Sequence, residues 1–209
     1  MTKDKASKAS PAPHPIQAVA ERAGFSAEHV VPYGNTKAKI DHRLALGDGA
    51  STAKFVLVTA ITPTPAGEGK TVTTIGLSMA LNRIGKRTIA TLRQPSMGPV
   101  FGVKGGGAGG GRSQVVPMEE LNLHLTGDFH AIAAANNLLS AALDTSILLD
   151  NPLHLDPECV SWRRVVDMND RALREVRIGL GGPRNGVPRD AGFDITPASE
   201  IMSLVGLAS

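Results

Sequence analysis

The chain has a single cysteine, Cys159, among 209 residues. No disulfide can close within it, which suits a reducing compartment. No base or helix start lies near that thiol in sequence, so it is read as inert. Aromatic residues make up only 3% of the chain. That is too few for base stacking or an aromatic-lined surface to be its main business. Charge of one sign is not concentrated either. The formal net charge is +3, part of it in Lys3, Lys5 and Lys8, and no dense Lys/Arg run marks a nucleic-acid patch. The longest clear apolar run, FVLVTAI at 55–61, is too short to cross a bilayer. The N-terminus carries lysines without an apolar segment behind them, unlike a secretory signal. A soluble cytoplasmic protein with no nucleic-acid or membrane partner is the expectation.

Apolar residues reach 42%, enough to build a core and to exclude global disorder. Residues 1–15, MTKDKASKASPAPHP, read as a disordered leader, and 16–209 as one nucleotide-binding domain. From Ile16 to about Leu46 two short helices are expected, separated by the turn signal VPYGN. KFVLVTAI at 54–61 suits a parallel strand covered on both faces. Thr71 to Ile84 reads as a helix with an apolar face (Val72, Ile75, Met79), and Gly85 follows as its stop. RTIATL at 87–92 is a second strand. Strand, loop, helix and strand form a βαβ unit with a right-handed crossover. The fold class is therefore α/β: a P-loop NTPase-like, mostly parallel sheet flanked by helices and incomplete at the C-terminus.

Between that strand and that helix lies TPTPAGEGKT, residues 62–71. A phosphate-binding P-loop reads Gly-x-x-x-x-Gly-Lys-Ser/Thr. Gly69, Lys70 and Thr71 supply its end, but Thr64 stands in place of its first glycine. Gly67 and Gly69 let the backbone curl close to phosphate oxygens, and the helix start offers free N–H groups and a positive dipole end. Lys70 reaches β- and γ-phosphates, and the Thr71 hydroxyl can ligate Mg²⁺. Pro63 and Pro65 stiffen the approach to the loop. Glu68 is odd beside phosphates and is expected to face solvent or the metal. Thr64, Pro65, Ala66, Gly67, Glu68, Gly69, Lys70 and Thr71 thus form the candidate ATP loop, and a chance surface turn is the bland alternative. Arg93 ends the second strand beside this site, where the alternative is an ordinary surface arginine.

The chain resembles the formate–tetrahydrofolate ligase family through TAITPTPAGEGKTVTTIGL, LRQPSMGPVFGVKGGGAGGG, NLHLTGDFHAI, AANNLL, VVDMNDRAL and FDITPASEIM. These run in family order from about Val31 to Ser209. The resemblance implies that formate attacks the γ-phosphate of ATP, giving formyl phosphate and ADP, and that tetrahydrofolate then takes the formyl group. It implies catalytic roles for Lys70 on the transferring phosphoryl group and for Arg93 on formyl phosphate. It also implies ATP with Mg²⁺, allows a monovalent cation, and points to a homo-oligomer when complete. The family's glycine-rich signature reads GGAAGGGY; here Gly107 replaces an alanine and Arg112 the tyrosine. Family members continue well beyond this length, so an N-terminal portion is expected. The alternatives are an ATP-binding module without ligase activity of its own and an NTPase switch unrelated to folate.

Other features carry weaker expectations. GGGAGGG at 105–111 is a poor dinucleotide fingerprint; it is read as a close-approach loop near substrate, with a flexible linker as the alternative and Lys104 adding charge. His124, Asp128 and His130 match no zinc spacing and read as a helix start capped by Asp128, with hydrogen-bonded histidines. Asp167 and Asp170 are either paired carboxylates or helix caps. Trp162 is expected in the core, with folate stacking as its alternative. Asp170 to Arg177 reads as a short helix, Phe193 to Ile195 as a strand, and Thr196 as the cap of the last helix with Pro197 behind it.

Overall fold

The computed structural model of the chain describes residues 12–46, 52–62, 64, 67–97 and 107–208. Most of the leader and the stretch holding Lys104 lie outside the described residues. The chain divides into two units: Met1–Pro95 with Lys104–Thr126, and Ser96–Val103 with Gly127–Ser209. Helices and strands are mixed throughout, an α/β composition.

The first unit opens with helix α1, Ile16–Ala23, which ends at Gly24 in a left-handed conformation (φ 92°) as helices commonly do. The expected second helix is instead an antiparallel hairpin of β1 (Val30–Tyr33) and β2 (Lys37–Ile40). The reason is local. Val30, Val31 and Tyr33 favour strands, Pro32 resists a helix, and Gly34 (φ 70°) lets the three-residue loop turn. Helix α2 spans Lys70–Arg83, and Gly85 (φ 81°) stands just past its end, as the sequence predicts.

The glycine-rich stretch forms a second small hairpin, β3 (Gly109–Gly110) with β4 (Ser113–Gln114), lying against α2. Glycine is required where they meet. At Gly76 a Cβ would stand 2.9 Å from the Ser113 hydroxyl, which can rotate aside, so the strict requirement is at Gly109. One on Gly109 (φ 96°) would stand 2.1 Å from the Ser113 carbonyl oxygen and 2.7 Å from Ile75 Cδ1. The described part of the segment, from Gly107 on, is a close-approach hairpin on the helix that follows the candidate loop. A short helix α3, Met118–Leu123, completes the unit.

The two strands expected at 54–61 and 87–92 are not strands in this structure. Both run as irregular chain, and Phe55, Val56, Leu57, Ile61 and Ile89 are exposed. A buried parallel strand needs hydrogen-bonding neighbours and cover on both faces, and β-propensity alone supplies neither. Among the described residues the sheets are four two-stranded pairs rather than one parallel sheet.

The second unit is built on α4, the 21-residue helix Asp128–Leu148. It begins at Gly127 (φ 83°), not at an Asp128 cap; Asp128 sits in the first turn, where a negative charge suits the helix dipole. On one side lies β5, Arg164–Val166, paired in parallel with β8, Phe193–Ile195. β6 (Val176–Ile178) and β7 (Arg189–Ala191) pair antiparallel. The expected helix from Asp170 is a single 3₁₀ turn, Arg171–Leu173, capped by the Asp170 carboxylate on the Ala172 N–H, because β6 claims the residues after it. Ser199, not Thr196, caps the final helix α5, Glu200–Leu207, by accepting from the Met202 N–H. Pro197 lies in a 3₁₀ turn before it.

Polar side chains of α4 join it to the sheet. Asn137 donates to the Val165 carbonyl (3.0 Å) and accepts from the Val165 N–H (2.9 Å), pairing with β5 as a neighbouring strand would. Fully buried Asn136 donates to the Arg163 carbonyl at 3.0 Å. By length and apolar composition α4 lies within a stretch that could cross a membrane, but these bonds, with Ser140 and Asp144 on the same helix, mark it as the core helix of its unit. Asp144 sits between two guanidiniums, each 2.5 Å away: Arg164 and Arg189. The Arg189 side chain is only 4% exposed. Removing its counter-charge leaves a buried cation unpaired, which costs about 3–5 kcal/mol. Asp144→Ala is expected to lose stability on that scale in urea unfolding; a loss below about 1 kcal/mol contradicts the pairing.

Candidate functional site

Of the eight loop positions, Thr64, Gly67, Glu68, Gly69, Lys70 and Thr71 are described, and the structure brings them together. Pro65 and Ala66 lie outside the described residues. The Thr64 carbonyl accepts from the Gly67 N–H at 3.1 Å. Gly67 and Gly69 are both left-handed, at φ 82° and 74°, a conformation other residues rarely adopt. Among the described residues, a Cβ on either would meet nothing within 4 Å. Backbone conformation, not crowding, therefore demands glycine here, and the space in front is open. Gly69 is the N-cap of α2 and no side chain caps that end. The Gly69 carbonyl accepts from the Thr73 N–H at 2.9 Å, so the helix is regular from its start. The first amides of an α-helix have no intrahelical acceptor; here they face a dipole end with no competing cap, an arrangement suited to an anion.

Glu68 differs from its expectation. Its carboxylate turns into the loop, where it accepts from the Thr64 N–H and pairs with the Lys70 ammonium. The Lys70 hydrogen bond and then the Thr64 N–H hold its pKa down to about 2. The sequence signal for this contact was opposite charge two residues apart across a left-handed glycine. Thr71 is half-buried in the first turn of α2. Arg93 is exposed in the extended chain after α2, and among the described residues no hydrogen bond or ion pair joins it to the loop. Thr64 and residues 67–71 lie together, with Arg93 joined to them by no such contact among the described residues.

The remaining candidates resolve differently. Among the described residues no group of three His, Cys, Asp or Glu could hold a metal. His124 instead hydrogen-bonds Tyr33 (Nε2 to hydroxyl, 3.2 Å) beside its ring, and its carbonyl accepts from the Lys37 ammonium at 3.0 Å. Gly107 lies where a methyl group would stand 3.0 Å from Pro95, so the departure from alanine relieves a tight contact. Arg112 is exposed at the hairpin tip. Cys159 donates to the Asp156 carboxylate at 3.2 Å, which raises its pKa and keeps it the inert thiol expected. Trp162 is half-buried, its indole N–H reaching the Asn136 carbonyl at 3.4 Å. It lines a cleft of about 660 Å³ with Arg163, Glu175, Arg177 and Asp190.

Asp167 follows β5 directly and is not paired with Asp170. One of its oxygens accepts from the Met97 N–H at 3.3 Å, while the other is buried and has no hydrogen-bond partner among the described residues. Burial raises its pKa above the ordinary carboxylate value. The folded state then holds a proton that the unfolded chain releases. This contribution to stability is present at acid pH and lost as pH rises through the folded value. Asp167→Asn keeps an acceptor for Met97 and removes the charge. Its melting temperature is expected to gain on wild type between about pH 4 and about pH 8; a difference that stays flat contradicts the buried carboxylate.

Comparison with known proteins gives the family. The family model described as formate–tetrahydrofolate ligase matches residues 2–209. The chain is 60% identical over 195 residues to the formate–tetrahydrofolate ligase of Granulibacter bethesdensis, covering 93% of this chain and 34% of that protein. It is 60% identical over 194 residues to that of Bartonella tribocorum, covering 92% and 35%. It is 58% identical over 194 residues to that of Thermosipho africanus, again covering 92% and 35%. The chain spans about a third of the length of the curated relatives it matches. With the match running nearly end to end and the candidate loop inside it, the chain belongs to the formate–tetrahydrofolate ligase family.

Proposed function

We propose that the chain supplies the nucleotide-binding part of an enzyme that ligates formate to tetrahydrofolate with ATP. The observation that carries this reading is the loop at the start of α2: two left-handed glycines, an uncapped helix end and an adjoining lysine. A polyphosphate fits it. The space before Gly67 and Gly69 is open, the donors are backbone amides, and Lys70 adds a cation. The relatives' names supply the two substrates.

In this reading formate attacks the γ-phosphate, ADP leaves, and the N10 amine of tetrahydrofolate displaces phosphate from the formyl phosphate so formed. The loop from Thr64 to Thr71 holds the phosphates through backbone amides, the Lys70 ammonium and the Thr71 hydroxyl, with Glu68 contributing backbone only. Lys70 offsets charge on the transferring group, which is most of what a protein can contribute to phosphoryl transfer. Arg93, exposed after α2, is the fork of donors for formyl phosphate. Thr71 would hold Mg²⁺, whose charge further offsets that of the phosphates; the reading also allows a monovalent cation, to which no residue is assigned. In a family-length polypeptide the exposed segments 54–61 and 87–92 take strand conformation in a mostly parallel, P-loop-like sheet. Such an enzyme works in the cytoplasm as a homo-oligomer, without nucleic acid or membrane.

The alternative reading is an ATP-binding fragment or module without ligation of its own. Formate- and folate-dependent ADP release by the 209-residue chain separates the two: turnover excludes the module, and ATP binding without turnover supports it. In a family-length enzyme, Lys70→Ala is expected to lower turnover by about 10²–10³-fold, the scale of losing one preorganised donor. Near-normal ligation by that variant overturns the role given to Lys70.

A further inference from the structure

A phosphate-binding loop offers an anion two kinds of donor, backbone amides and an ammonium. In this chain one of each is already engaged by an anion of its own. Glu68 accepts from the Thr64 N–H with one carboxylate oxygen and from the Lys70 ammonium with the other. Gly67 and Gly69, left-handed on either side of it, are what let a residue at this position fold back over the loop. The carboxylate is 17% exposed, against 43% for the lysine it meets, so the acid is the inward member of the pair. Glu68 and a bound phosphate cannot share Lys70 without placing two anions side by side, which is unfavourable at such range.

We propose that Glu68 is a built-in counter-anion that occupies the loop's donors and that an incoming nucleotide must displace. The inference rests on the nucleotide-binding reading above and gives that site a specificity element. A lone carboxylate gains nothing by replacing a carboxylate already tethered in place. A polyphosphate brings more charge and reaches the α2 amides that Glu68 does not engage. The loop therefore stays formed when empty, refuses simple carboxylates such as formate, and accepts the nucleotide at an affinity reduced by the displacement.

Titration of the 209-residue chain with ATP in EDTA, by calorimetry, tests this without a metal. Glu68→Gln keeps an acceptor for Thr64 and loses the charge; it is expected to bind ATP about 2- to 5-fold more tightly than wild type, the scale of one exposed ion pair. Glu68→Ala is expected to move affinity the same way, and both variants to admit acetate as a weak competitor of ATP that wild type ignores. If wild type binds ATP and both variants bind it equally or more weakly, the displacement is overturned while the nucleotide site stands. If wild type binds no ATP, the nucleotide reading itself fails and the inference with it.

Discussion

Two residues without a Cβ determine how the candidate site is built. Gly67 and Gly69 take a left-handed backbone that side chains avoid, and that turn delivers the chain onto the first turn of α2 with its amides uncapped. Everything else at the site follows from this. The lysine stands at the helix start because the second of these glycines is its N-cap. Glu68 can fold back over the loop because glycine flanks it on both sides. The glycine-rich hairpin presses on the same helix at Gly76 and, through Gly109, at distances no Cβ would permit, so the helix is held from the side as well as shaped at its start.

The second unit is organised by polar pairing rather than by apolar burial alone. Asn136 and Asn137 place amide groups against β5, where backbone groups would otherwise go unpaired. Asp144 gathers two arginines from β5 and β7. The motif AANNLL has here a structural role: Asn137 acts as a surrogate edge for the short strand β5, and Asn136 bonds the Arg163 carbonyl just before it.

The sequence was legible where local chemistry decides. The α2 helix with its glycine stop, the strand at Phe193–Ile195, the cap at Asp170 and the quiet thiol of Cys159 are all as read from the residues. Caps were less legible: Gly127 and Ser199 took positions assigned to Asp128 and Thr196, because several residues near each helix start could serve. Pairing was least legible. Segments 54–61 and 87–92 have strand composition, yet nothing in their own residues specifies a neighbour, and here they remain exposed. The sequence leaves the Glu68 side chain facing either solvent or the metal, and does not specify its contact with Thr64 and Lys70.

The most direct test is an amide NMR titration of the chain with ATP. The account predicts saturable shifts at the N–H groups of Gly67, Gly69, Lys70 and Thr71, with the β6–β7 pair unmoved. Shifts confined to the cleft around Trp162, with the loop amides unchanged at saturation, would contradict it.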